Sequence, residues 1–81
     1  MAAQYFQVKD RFIALEDDGI EKHVAGFDKH GKLMARYLAT EEQYAKAKAG
    51  VEACGTEVKL ADILAVRSRY QNRQKKSEFP D

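Results

Sequence analysis

The chain has 81 residues, 14 lysines and arginines against 13 aspartates and glutamates, a formal charge of +1, and one cysteine. That length makes one domain and buries roughly 63% of the unfolded chain's surface, too little for a deep substrate cavity beside a separate regulatory region. The near-neutral balance excludes the global field of a histone-like protein and that of an acidic DNA mimic. A lone cysteine excludes an internal disulfide. The segment Tyr5-Phe6-Gln7-Val8-Lys9-Asp10 has no signal-like apolar run, and no stretch reaches transmembrane length, so a reducing cytoplasm is expected with no membrane.

Gln4 to Leu15 is rich in aromatic and β-branched residues and predicts one strand. Phe6, Val8, Phe12 and Ala14 point one way and Gln7, Lys9 and Arg11 the other, with Asp10 interrupting. Ile13 and Leu15 spoil the alternation and hint at a bulge or a strand end. Glu16-Asp17-Asp18-Gly19 reads as an acidic turn, because the spacing of a calcium loop and its closing glutamate are absent.

A second strand is expected over 20–27. Ile20 and Val24 compete with His23, Ala25 and Phe27 for the inner face, and Gly26 weakens the strand or marks a bulge. Asp28-Lys29-His30-Gly31 has the pattern of a type I turn closed by a left-handed glycine. A third strand returns over 32–39. Leu33, Ala35 and Tyr37 lie on one side, and Met34, Arg36 and Leu38 on the other. Apolar residues on both sides suggest either a central strand or one whose outer face binds something.

Thr40-Glu41-Glu42-Gln43 reads as a capping box opening a helix over 41–54. Tyr44, Ala47, Val51 and Cys54 form its inward stripe, and Glu42 stands one turn before Lys46. Gly55 is expected to end the helix as a C′ glycine. Thr56-Glu57-Val58-Lys59 then caps a second helix over 57–76, with Leu60, Ile63, Leu64 and Tyr70 on one stripe and Arg67 inside it. Arg69, Arg73 and Lys76 lie opposite. No acid occurs between Asp62 and Glu78, and Lys75 brings the positive charges of that run to five. The fold expected is α+β: a three-stranded antiparallel β-meander followed by two α-helices packed on one face, a single domain over 1–76, with a frayed tail over 77–81.

Chemistry-bearing residues are sparse. Cys54 with His23 or His30 offers too few ligands for a zinc site, and Cys54 falls on the expected core stripe of its helix. Glu57-Val58-Lys59 matches only the acid-x-Lys ending of a nuclease pattern, and no glycine-rich phosphate loop follows a strand. No catalytic residue, metal or cofactor is expected, and the protein is read as a non-enzyme.

One segment, Leu60-Ala61-Asp62-Ile63-Leu64-Ala65-Val66-Arg67-Ser68-Arg69-Tyr70-Gln71-Asn72-Arg73, resembles a helix-turn-helix. The resemblance implies a recognition helix from Arg67, with Arg67, Arg69, Gln71, Asn72 and Arg73 at phosphates or base edges. Ala65 stands where the motif usually has Gly, and a single uninterrupted helix accounts for the same residues. Two functional classes follow. One is a protein-binding module, such as a small bacterial or phage-type regulator or inhibitor, that uses Met34, Arg36 and Leu38 on the sheet with Arg67, Arg69, Arg73, Lys75 and Lys76 on the basic helix. The other is a nucleic-acid binder working through that helix.

Overall fold

The structure is a computed structural model describing residues 2–78, with side chains described through residue 73. The elements are β1 (Ala2–Val8), β2 (Arg11–Asp17), β3 (Lys22–Phe27), β4 (Leu33–Ala39), α1 (Glu41–Cys54), β5 (Thr56–Val58) and α2 (Leu60–Glu78). The strands form one antiparallel sheet in the order β4-β3-β2-β1-β5. The expected three-stranded meander is therefore corrected to five strands, four of them before α1.

Two errors in reading the chain account for the difference. The segment expected as one strand over 4–15 is a hairpin, with Val8 paired to Arg11 around the two-residue loop Lys9-Asp10. Lys9 holds φ 58, a left-handed conformation that costs a non-glycine residue about 1 kcal/mol, so the loop lacks the Asn-Gly or Asp-Gly signature of such turns. A two-residue loop also exchanges the parity of the inward face. Phe6 and Val8 therefore share a face with Ile13 and Leu15, while Phe12 and Ala14 point the other way, contrary to the grouping expected from simple alternation.

The second error lies at 56–58, expected as a helix cap. These residues form β5 and pair with β1, Tyr5 to Val58 and Gln7 to Thr56. The cap of α2 falls one residue later, where the Lys59 amide donates to Asp62 Oδ2 at 2.9 Å and the Asp62 amide to the Lys59 carbonyl at 2.9 Å.

The core lies between the sheet and α1. Phe6, Leu15, Val24, Ala39 and Val51 are buried together, with Val8, Ile13, Tyr44 and Ala47 packed against them. The capping box forms as the sequence indicates: Thr40 Oγ1 accepts from the Gln43 amide at 3.1 Å, and Gln43 Oε1 accepts from the Thr40 amide at 3.0 Å. Glu42 and Lys46 make the exposed pair at 3.5 Å. Lys22 holds the start of α1 to the sheet, 3.6 Å from Asp17, 3.8 Å from Glu41 and 5.8 Å from the centre of the Tyr44 ring. Burial, and then the Asp17 carboxylate, push the Tyr44 hydroxyl above its ordinary pKa.

Gly55 ends α1 for a reason other than the one expected. Its backbone is extended, at φ −119, and its amide donates to the Val51 carbonyl at 2.8 Å. A Cβ there would stand 2.8 Å from Val8 Cγ2 and 2.9 Å from the Gln7 and Val51 carbonyl oxygens. The glycine is needed because α1 passes hard against β1 as the chain enters β5. Cys54, expected in the core stripe, is exposed at this end of α1.

α2 is one continuous helix from Leu60 to Glu78, so the turn required by a helix-turn-helix at Ala65 does not form. The helix includes Ser77 and Glu78; the rest of the expected tail, Phe79 to Asp81, lies outside the described residues. Of the predicted apolar stripe Ile63 is buried, whereas Leu60 and Leu64 are exposed. α2 meets the β3–β4 turn: the Tyr70 ring stacks on His30 at 3.9 Å between centroids, and a Cβ on Gly31 would fall 2.8 Å from the Ile63 carbonyl. Gly31 also holds φ +77, so both backbone angle and space select glycine there. The two helices thus do not share one sheet face in the way expected. α1 supplies the helical side of the described core cluster, and α2 braces the turn. The radius of gyration is 14.5 Å, against about 12 Å for a compact chain of this length, and the longest dimension is 53 Å. Neither a seven-residue strand (about 23 Å) nor a 19-residue helix (about 28 Å) reaches that length alone, so α2 runs on beyond the sheet.

Candidate functional site

β4 begins after the β3–β4 turn, which is built by Asp28. Its Oδ1 accepts from the amides of His30 at 2.8 Å and Lys32 at 2.9 Å, and its carbonyl accepts from Gly31 at 3.0 Å. These donors, the Lys32 amide foremost, hold the Asp28 carboxyl below its ordinary pKa. A register shift between Gly26 and Phe27 follows on the β3 side, so Phe27 pairs with Leu33 while Gly26 pairs with Ala35. The bulge suspected at Gly26 is thus present.

From there β4 pairs with β3 along one side and forms the edge of the sheet on the other. It is not the central strand that its doubled apolar pattern allowed. Every residue from Leu33 to Leu38 is exposed: Leu33 50%, Met34 66%, Tyr37 49% and Leu38 60%. Alternation and pairing place Leu33, Ala35 and Tyr37 on the α1 side, in line with Gly26 and Val24. Met34, Arg36 and Leu38 lie on the far side, in line with Ala25 and His23. Arg36, the one charge in the strand, donates its Nε–H to Glu16 Oε1 at 2.8 Å. It is drawn inward across the sheet and does not screen the edge.

An open groove of about 750 Å³ adjoins the strand on Met34 and Ala35 and continues past Gly26, Phe27 and Ile13 to Val8. A Cβ on Gly26 would meet nothing within 4 Å, so the groove floor is open there. The opposite edge differs in kind. β5 has three residues, Thr56, Glu57 and Val58, which is the short, charged form that discourages further pairing.

The expected site residues divide between two places. Met34, Arg36 and Leu38 come together on β4; Leu33 and Tyr37, absent from the expected set, join them on the other face of the same strand. Arg67 is half-buried, with its Cβ 3.1 Å from where a side chain on Gly31 would begin. Arg69 and Arg73 are exposed and line an open hollow of about 450 Å³ with Val66 and Asn72. The Lys75 and Lys76 side chains lie outside those described.

The remaining chemistry-bearing side chains have structural work. Asp17 Oδ1 accepts from the Gly19 amide at 2.9 Å, and Asp18 Oδ1 accepts from Ile20 at 2.8 Å and Glu21 at 2.6 Å, building the turn the sequence suggested. The Glu21 amide is the chief cause of the lowered Asp18 pKa. His30 stacks on Tyr70, and His23 Nε2 lies 4.0 Å from Glu21. Among the described residues no group of three His, Cys, Asp or Glu is placed to hold a metal ion, and no helix is long and apolar enough to cross a membrane. Compared with protein-family models, with curated proteins and with solved structures, the chain matches none.

Proposed function

We propose that the protein is a non-enzymatic protein-binding module that docks its partner by strand addition at β4. The observation that carries this reading is an edge strand of seven residues, apolar on both faces and exposed on both. Unpaired edge amides and carbonyls give an incoming strand main-chain hydrogen bonds, and alternating side chains give it specificity. The groove beside Ala35 and Gly26 supplies room for apolar side chains on the α1 side. An unprotected apolar edge is an aggregation hazard, and coverage by a partner removes that hazard. A regulator or inhibitor working by contact alone fits these features. A reducing, cytoplasmic compartment fits the free, exposed Cys54.

The hollow formed by Arg69, Asn72 and Arg73 favours a second reading, in which α2 lays its basic side along a phosphate backbone. One experiment separates the two: capture of partners from the native source with and without nuclease, using the wild type and the double variant Leu33→Lys/Leu38→Lys. The strand-addition reading expects a protein recovered with nuclease present and lost from the variant. Recovery that depends on nucleic acid, or that ignores the two lysines, overturns it.

A further inference from the structure

We propose that the strand added to β4 is β4 of a second copy of this chain, in an antiparallel two-fold pair with Ala35 at the axis; this rests on β4 being the docking edge. A two-fold interface must be complementary to itself, with residue i meeting j and j meeting i. About Ala35, each Leu33 faces the partner's Tyr37 and each Met34 faces the partner's Arg36, while the small Ala35 side chains meet at the centre. Leu33 and Tyr37 are each about half exposed on the α1 side, and in this register each covers the other, an aliphatic–aromatic cross-strand pair. The far side brings the Met34 thioether against the aliphatic stem of Arg36, whose guanidinium keeps Glu16 at 2.8 Å.

Charge selects this register over its neighbour. Centring the pair on Arg36 would set two guanidinium side chains directly opposite, which is unfavourable across strands. Centring on Ala35 places no like charges opposite one another between Leu33 and Tyr37. The joined sheet would have ten strands, within the range open twisted sheets reach. The axis runs perpendicular to the sheet, so both α1 helices lie on the same side and both cores stay closed. The β5 edges end up at the two extremes, where their shortness and charge stop further growth.

The test is sedimentation of the full chain from roughly 1 μM to roughly 1 mM, the span of moderate to weak affinities, with circular dichroism to check folding. The wild type is expected to pass from the 9.2 kDa monomer to twice that mass. Leu33→Lys/Leu38→Lys is expected to remain monomeric with an unchanged spectrum. Ala35→Cys in a Cys54→Ala background is expected to form a disulfide-linked dimer on mild oxidation, because directly opposite residues stand about 4.5–5.5 Å apart at Cα, within disulfide reach. In the Arg36-centred register the two cysteines would lie beyond about 7 Å and would not join. A wild type that stays monomeric throughout overturns the proposal, as does a dimer that survives the two lysines or one that resists the Ala35→Cys link. A monomeric wild type whose captured protein is still lost from the lysine variant sinks the self-pairing and leaves strand addition standing. Loss of both sinks the docking edge itself.

Discussion

β2 and β4 are strands of equal length with nearly the same pattern, Arg11-Phe12-Ile13-Ala14-Leu15-Glu16-Asp17 and Leu33-Met34-Ala35-Arg36-Tyr37-Leu38-Ala39. Both carry apolar residues on both faces. In β2 that pattern is used: Leu15 is completely buried on the α1 side, and Phe12 and Ala14 are buried on the other. In β4 all residues but Ala39 are exposed. Composition sets the capacity of a strand for burial, and sheet order decides whether the capacity is taken up. A strand built like a central one but left at the edge has an unfilled place beside it.

The largest expected effects fall where the pattern is satisfied. Val51→Asp sets an unpaired charge against Phe6, Leu15 and Val24 and should destabilise the fold by about 3 kcal/mol or more, enough to unfold much of so small a domain. Loss of near-native circular dichroism at 25 °C would register it; an unchanged melting temperature would mean that α1 does not cover this face. The sharpest form of the comparison uses one substitution twice. Leu15→Ala should cost about 3 kcal/mol in chemical denaturation, and Leu38→Ala at 60% exposure should stay within about 0.5 kcal/mol in the monomer. Equal losses at both sites would show that β4 is covered within its own chain.

Gly55→Ala tests the approach of α1 to β1 at the managed edge. Its new methyl would meet Val8 and the Gln7 carbonyl at under 3 Å, and a loss of about 1–3 kcal/mol is expected, with weakened β5 pairing seen in amide exchange. A neutral result would show that β1 and β5 yield freely there. The smallest effect concerns the turn that sets β4 in place. Asp28 has a folded pKa below its ordinary 3.8, so its contribution is present above the unfolded value and is lost as pH falls through the folded one. Carbon-detected titration should place the Asp28 midpoint below 3.8, and Asp28→Asn should flatten the acid limb of stability slightly. A midpoint at or above the ordinary value would remove the amide bonds from the account.

Much of the helical half was legible in the sequence because capping chemistry is local. Thr40 and Gln43 specify the start of α1 from within four residues, and Tyr44, Ala47 and Val51 announce its inner stripe. The turns at Asp17-Asp18-Gly19 and Asp28-His30-Gly31 were readable for the same reason, since aspartate oxygens bond amides a few positions on. What escaped was set by distant contacts. Lys9-Asp10 turns the chain without a turn residue, and its only trace was the phase change at Ile13 and Leu15, which two-residue loops impose. Thr56-Glu57-Val58 is a strand only because β1 lies beside it. Leu60 and Leu64 fell on an apolar stripe that the fold leaves exposed. At the candidate site, the doubled pattern of Leu33 to Leu38 could be seen, but its position at the edge could not, because sheet order is not encoded in one strand.

The most direct measurement of β4 as the edge where a second strand adds is residue-resolved amide hydrogen exchange at low and high protein concentration. Inward amides of β4, bonded to β3, should be protected at both. Amides of alternate residues, facing away from β3, should exchange rapidly in dilute solution and become protected as concentration rises, while Thr56 to Val58 show no such change. Outward β4 amides that stay unprotected at every concentration, or a concentration-dependent protection that appears on α2 or β5 instead, would contradict the account.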